Sequence, residues 1–181
     1  MFRTALATGF CRKHRHRRIA MVPCDHPGKL ADGEDRFGTP MHFLNGRFDI
    51  KVSAADTGGA LCIIDTLRDR VGGPPLHYHE HQDEWFLVRD GNFVFQIGDR
   101  LHRAGPGDSI FGPRGVPHAF RCLTAPARLL LVFQPALRIE EFFAGGARLE
   151  QAETAAFDAL SLAHGIVNIG PPLRGDEPVE G

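Results

Sequence analysis

Alternation of apolar and polar residues dominates the middle of the chain. Residues 47–54 set Phe48, Ile50 and Val52 against polar neighbours, which is the period-two pattern of a strand with one buried face. Residues 60–67 form a more continuous apolar run, closer to a strand buried on both faces. Further short apolar segments follow, separated by Gly, Pro or Asp: 84–88, 92–98, 108–112, 118–123 and 127–134. This spacing predicts an all-β domain, either a sandwich or a barrel.

The texture changes after Pro135. Residues 137–145 and 150–165 have helical composition, and His164 and Gly165 suit the last turn and the end of a helix. We therefore divide the chain into a basic leader and coil at 1–45, a barrel at 46–135, and short helices with a tail at 136–181. Two helices closing one end of the barrel is the simplest arrangement.

Charge is unevenly distributed along the 181 residues, although the formal net charge is only −1. Residues 1–20 hold six basic side chains and no acidic one, which leaves 15 basic against 22 acidic residues in the remainder. So acidic a body argues against nucleic-acid binding. The leader alone could be a nucleic-acid arm or a transit-type segment, but a disordered leader is the plainest interpretation.

Neither a membrane span nor a disulfide framework is indicated. No stretch approaches 18 consecutive apolar residues. The four cysteines form no CxxC pair and no disulfide-type spacing, so reduced thiols and a cytoplasmic location are expected.

The segment PPLHYHEHQDEW suggests half of a metal site. His77 and His79 are two residues apart and share a face if they lie on a strand. Glu84 can face the same way only if a turn intervenes, and a carboxylate heading an apolar inward face needs a partner such as a metal. His118, which opens a later apolar strand, would complete the set. His81 offers a rival pair with His79, but we expect it to face solvent on the turn, with a supporting role beside the ligands as the alternative.

These two segments resemble the two motifs of the cupin superfamily in its single-domain form. The first matches as His77-x-His79-x4-Glu84-x6-Gly91 and the second as Gly107-x5-Pro113-x-Gly115-x2-His118. Two positions depart from the pattern: the leading glycine is displaced to Gly72, and Cys122 stands where the family often has Asn. The resemblance implies a double-stranded β-helix (jelly-roll) barrel with one divalent transition metal held by His77, His79, Glu84 and His118. Nitrogen and oxygen ligands suit Fe, Mn, Ni, Co, Cu or Zn alike.

The stretches GGPPLHYHEHQDEWFLV and AHGIVNIGPPL are similar to quercetin dioxygenase-like cupins. That similarity implies a metal-dependent dioxygenase cleaving a flavonol-, enol- or diketone-type small molecule, with Glu84 accepting the enol proton. Strand parity places apolar side chains near the metal, either as a substrate pocket or as plain barrel core: Phe86, Val88, Phe93, Phe95 and Phe120. Two alternatives remain open, a non-enzymatic binding or sensing cupin and a cupin isomerase, lyase or decarboxylase.

A homodimer is also expected. The parity that points Glu84 inward points Trp85 and Leu87 outward, and an exposed pair of this kind would need a partner.

Overall fold

The computed structural model describes residues 28–149 and 154–176. The predicted leader at 1–20, together with Cys11 and Cys24, lies outside these residues. The described residues form eleven strands and two α-helices: β1 (Met41–Phe43), β2 (Gly46–Val52), β3 (Cys62–Arg68), β4 (Pro75–His79), β5 (Asp83–Asp90), β6 (Phe93–Ile97), β7 (Arg100–Ala104), β8 (Ser109–Gly112), β9 (His118–Cys122), β10 (Ala127–Gln134), α1 (Ile139–Gly146), α2 (Thr154–Ala163) and β11 (Ile166–Pro172).

Two antiparallel sheets face each other as a jelly-roll barrel. One has the order β1-β2-β3-β10-β5-β8 and the other β11-β4-β9-β6-β7. The all-β fold with short C-terminal helices is therefore confirmed. Because neighbouring strands often come from distant parts of the chain, the barrel brings together residues that are far apart in sequence.

The core lies between the sheets. On β5, Glu84, Phe86 and Val88 are buried while Trp85 and Leu87 are half-buried on the outer face, as strand parity predicts. The rings of β6 and β9 pack across the barrel against Phe86, whose centroid lies 5.2 Å from Phe95 and 5.9 Å from Phe120. Each buried ring of this kind removes a large apolar area from water.

β3 differs from its expectation. Its inward side chains are fully buried, but Ile63 and Leu67 on its outer face are only half-buried. The third outward residue, Asp65, is buried because Arg89 and Arg128 pair with it. The apolar run at 60–67 is continuous because one face of β3 packs in the core and the other face belongs to a partly apolar outer surface.

β11 was not predicted. It follows α2 and pairs with β4 along its length, from Ile166 opposite His79 to Pro172 opposite Pro75. Its residues include an Asn, a Gly and two prolines, which weaken a strand pattern in the sequence. In the part of the chain that the structure describes, no helix has the length and hydrophobicity to cross a membrane.

Candidate metal centre

Four predicted ligands converge inside the barrel. His77 and His79 lie on β4, Glu84 begins the inward face of β5, and His118 begins β9. One nitrogen or oxygen atom from each lies within 4.8 Å of the others. All four are buried, with exposed fractions of 8%, 3%, 4% and 1% in chain order.

The two sheets explain how Glu84 joins the histidines. β4 belongs to one sheet and β5 to the other, and the chain crosses between them over residues 80–82. Glu84 therefore faces the histidines from the opposite wall. His77 and His118 are direct cross-strand partners, with ring centroids 4.6 Å apart. The intervening turn that the sequence required is present, and His81 on it is exposed as expected.

Backbone carbonyls fix the tautomer of two of the histidines. His77 Nδ1 lies 2.8 Å from the Pro75 carbonyl, and His118 Nδ1 lies 3.0 Å from the Val116 carbonyl. A carbonyl can only accept, so each Nδ1 carries the hydrogen and donates it. In a neutral ring of this tautomer, the Nε2 lone pair is free for a metal.

Gln82 fixes the tautomer of the third histidine, His79. His79 Nδ1 lies 2.9 Å from Gln82 Oε1, and Gln82 Nε2 donates to the carbonyls of Pro135 at 2.7 Å and Ala136 at 2.8 Å. Those two acceptors determine which end of the amide is nitrogen, so Oε1 accepts from His79 Nδ1. Gln82 is 3% exposed. Sequence reasoning missed this residue, since a glutamine three positions after a histidine carries no signal of its own.

The cluster has the chemistry of a cation site. Glu84 Oε2 lies 3.3 Å from His79 Nε2 and 3.2 Å from His118 Nε2. With Nδ1 protonated, these contacts set a lone pair against a carboxylate, which is favourable only if a proton or a metal cation lies between them. Three imidazole nitrogens and one carboxylate form a donor set that fits a divalent transition metal.

The ionisation states agree with this. Burial, followed by repulsion from His118 and His79, lowers the pKa of His77 to about 3. Burial acts to raise the pKa of Glu84, but His118 and His79, when they also carry a proton on Nε2, donate to the carboxylate, outweigh burial and lower that pKa to about 2. At neutral pH the site therefore offers a neutral imidazole and an ionised carboxylate, the forms in which both residues bind metals.

An apolar cavity opens beside the cluster. His77, His79 and Glu84 line it together with aromatic rings from β1, β2, β9, β10 and the two helices: Phe43, Phe48, Phe120, Phe133, Phe142, Phe143 and Phe157. Its volume is about 60 Å³. A cavity of this volume holds only a few water molecules.

The predicted pocket residues divide into two groups. Phe120 lines this cavity. The other four, Phe86, Val88, Phe93 and Phe95, are buried in the core cluster and are not among the described residues that line it. Phe86 still borders the metal centre from behind, with its ring 6.1 Å from that of His118.

Sequence comparisons find known proteins that are similar to part of this chain. A family model described as "Cupin domain" matches residues 70–133. The dimethylsulfoniopropionate lyase DddQ of Ruegeria pomeroyi is 32% identical over 60 residues, which are 33% of this chain and 30% of the lyase. The match therefore spans less than a third of that relative.

Similar solved structures include KdgF from Halomonas sp., with 22% identity, a TM-score of 0.46, and coverage of 50% of this chain and 81% of that one. An RmlC-like cupin from Shewanella frigidimarina has 20% identity, a TM-score of 0.48, and coverage of 54% and 84%. The family match encloses all four predicted metal ligands and both motifs between Gly72 and His118. Residues 70–133 of this chain therefore form a cupin domain.

Proposed function

We propose that this chain is a metal-dependent cupin enzyme that cleaves a small enol or diketone with dioxygen. The observation that carries the proposal is the convergence of three imidazole Nε2 atoms and one carboxylate at the end of an apolar cavity. His77, His79, Glu84 and His118 would hold one divalent transition metal. When bound, such a metal supplies a Lewis acid for substrate oxygens and allows dioxygen to react.

The cavity supports a small substrate. Its largely aromatic lining favours a flat organic molecule. A cavity of about 60 Å³ suits a short enol or diketone better than a three-ring flavonol. The smaller members of the expected substrate types are therefore the ones we propose.

Glu84 is the proposed proton acceptor. Its carboxylate is ionised and faces the cavity, so it can take the enol proton of a substrate bound there. The electron-rich carbon of the resulting enolate then reacts with dioxygen. Both oxygen atoms enter the products as a carbon–carbon bond breaks, so the reaction needs no external reductant.

The second candidate is a lyase. Its support is the 32% identity to the dimethylsulfoniopropionate lyase over 60 residues. An elimination on the same metal centre would proceed without consuming oxygen. Ligand binding without turnover would instead indicate a binding or sensing cupin.

We also propose that the chain forms a homodimer in the cytoplasm. Trp85 and Leu87 lie on the outer face of the larger sheet, and Phe111, the cross-strand partner of Trp85, is 54% exposed. These three side chains form an outer apolar patch suited to a second copy. The buried Cys62 and Cys122 are free thiols, in keeping with a reducing compartment.

The first experiment is the metal content of the purified protein by plasma mass spectrometry. We expect about one transition metal per chain, retained in His102→Ala, whose histidine is exposed on β7, and lost in His77→Ala and His118→Ala. Loss in all three variants or in none would contradict the site.

Oxygen consumption with 2,4-pentanedione then tests the reaction class. We expect uptake that disappears in His118→Ala, and in Glu84→Gln even where the metal is retained. Turnover of the diketone without oxygen uptake would favour the non-oxidative alternatives.

A further inference from the structure

We propose that Arg68 binds a carboxylate group of the substrate, so that the molecule entering this cavity is an organic acid. The inference rests on the proposed function, because it takes the cavity beside the metal centre as the substrate site. Arg68 is the last residue of β3, lines that cavity and is 1% exposed. A guanidinium inside a barrel has to recover the free energy lost when it leaves water.

Small neighbours make room for this side chain. Arg68 lies opposite Gly46 on β2 and opposite Ala127 on β10. A Cβ placed on Gly46 would lie 2.6 Å from Arg68 Nη1 and 3.1 Å from Thr66 Oγ1. Glycine at position 46 thus preserves the space that the guanidinium occupies.

Two rings enclose the guanidinium. Its central carbon lies 5.6 Å from the ring centre of Phe48 and 5.4 Å from that of Phe120. Stacking of this kind stabilises the cation and leaves the N–H groups in the guanidinium plane available for an anion.

Arg68 keeps an unused hydrogen-bond donor among the described residues. Nη2 donates to Asn45 Oδ1 and the guanidinium also contacts the Cys122 thiol, but Nε has no hydrogen-bond partner among the described residues. The ion pairs of the described residues include none to Arg68. Thr66 Oγ1, on the same inward face, is a second buried polar atom without a partner there. Arg68 lines the cavity, and the planar N–H donors of a guanidinium match the two oxygens of a carboxylate.

Arg68 and the metal centre would bind opposite ends of the substrate. Phe120, which stacks on the guanidinium, follows His118 by two residues on β9, a step of roughly 6.6 Å along a strand. One end of the substrate would reach the metal centre and the carboxylate would reach Arg68. Arg68 is the one Lys or Arg among the described residues that line the cavity, so a singly charged carboxylate fits better than a phosphate of about two negative charges.

A matched pair of ligands tests this inference: 2,4-dioxopentanoate and its methyl ester, titrated calorimetrically into metal-loaded protein. Both carry the diketone, and only the acid carries the negative charge. We expect the wild-type protein to bind the acid at least about tenfold more tightly, the factor that a charge-assisted pair supplies. Arg68→Met should reduce this preference to within about twofold, whereas Arg103→Met, which removes an exposed charge on β7, should leave it unchanged.

The controls separate this inference from the proposed function. Metal content is measured on each variant, because the carboxylate of the acid can also bind the metal directly. If the metal causes the preference for the acid over the ester, that preference will survive in Arg68→Met, and the inference is overturned. If Arg68→Met fails to fold, Arg68→Lys keeps the charge but loses the planar pair of donors, and its preference for the acid should fall several-fold. An unchanged preference in Arg68→Lys would overturn the inference, as would a wild-type protein that binds the acid no better than the ester. Acid preference in a protein that takes up no metal would contradict the proposed function and leave the Arg68 site intact.

Discussion

Replacing Gln82 should weaken metal binding although Gln82 is not a ligand. Its amide accepts from His79 Nδ1 and donates to the carbonyls of Pro135 and Ala136, and it is buried. Gln82→Leu has a similar volume but removes all three hydrogen bonds, so His79 loses the contact that holds its ring and tautomer. Loss of such an orienting partner typically lowers metal affinity about 10- to 100-fold.

The same substitution should destabilise the fold. Three buried hydrogen bonds at about 1 kcal/mol each give a loss of roughly 3 kcal/mol. For a chain of this size that lowers Tm by roughly 6–12 °C. Competition with a chromophoric chelator measures the affinity, and thermal unfolding of the metal-free protein measures the stability.

Gln82→Glu separates the two effects. A glutamate can still accept from His79 Nδ1 but cannot donate to Pro135 and Ala136, so we expect metal affinity close to wild type together with a loss of stability. If Gln82→Leu binds the metal within about twofold of wild type, then Gln82 does not orient His79 and the tautomer argument is wrong.

Two further predictions concern the surface. Arg114, which pairs with Asp83 through its side chain and backbone N–H, lowers the pKa of that carboxyl to about 2. The pairing therefore stabilises the folded protein above about pH 4, and this stabilisation is lost as the pH falls towards 2. The Asp83 pKa measured by NMR should rise in Arg114→Met. An unchanged value would contradict the pairing. The outer apolar patch of Trp85, Leu87 and Phe111 predicts a dimer by sedimentation velocity that dissociates in Phe111→Lys, and a monomeric wild type would refute it.

The alternation of residues along a strand predicted which face is buried. It did not predict where along the barrel axis a buried residue lies. Phe86 and Phe95 were correctly expected inside, yet they pack in the core because they lie behind the metal centre rather than in front of it. The cavity in front is instead lined by rings such as Phe43 and Phe142, from β1 and α1. β1 is a three-residue strand within the segment expected to be coil, and α1 meets the barrel through tertiary contacts that no local pattern encodes.

The burial of Arg68 was not predicted for a different reason. The alternation of Cys62, Ile64 and Thr66 extends to position 68 and would have placed it inside. Its charge indicated solvent instead, because arginine is rarely buried. A charged residue that continues the inward parity of a strand is the signal that could have identified it.

The position of β11 makes the metal centre depend on the order in which the chain is synthesised. All four proposed ligands have left the ribosome once residue 118 emerges. Two of them lie on β4, which pairs with β9 at one position, His77 opposite His118. β4 pairs with β11 at five positions. The edge of β4 is therefore open until residues 166–172 arrive. A nascent chain would expose the two histidines on an unpaired strand, so metal loading is expected to follow the docking of the last strand rather than to accompany barrel closure.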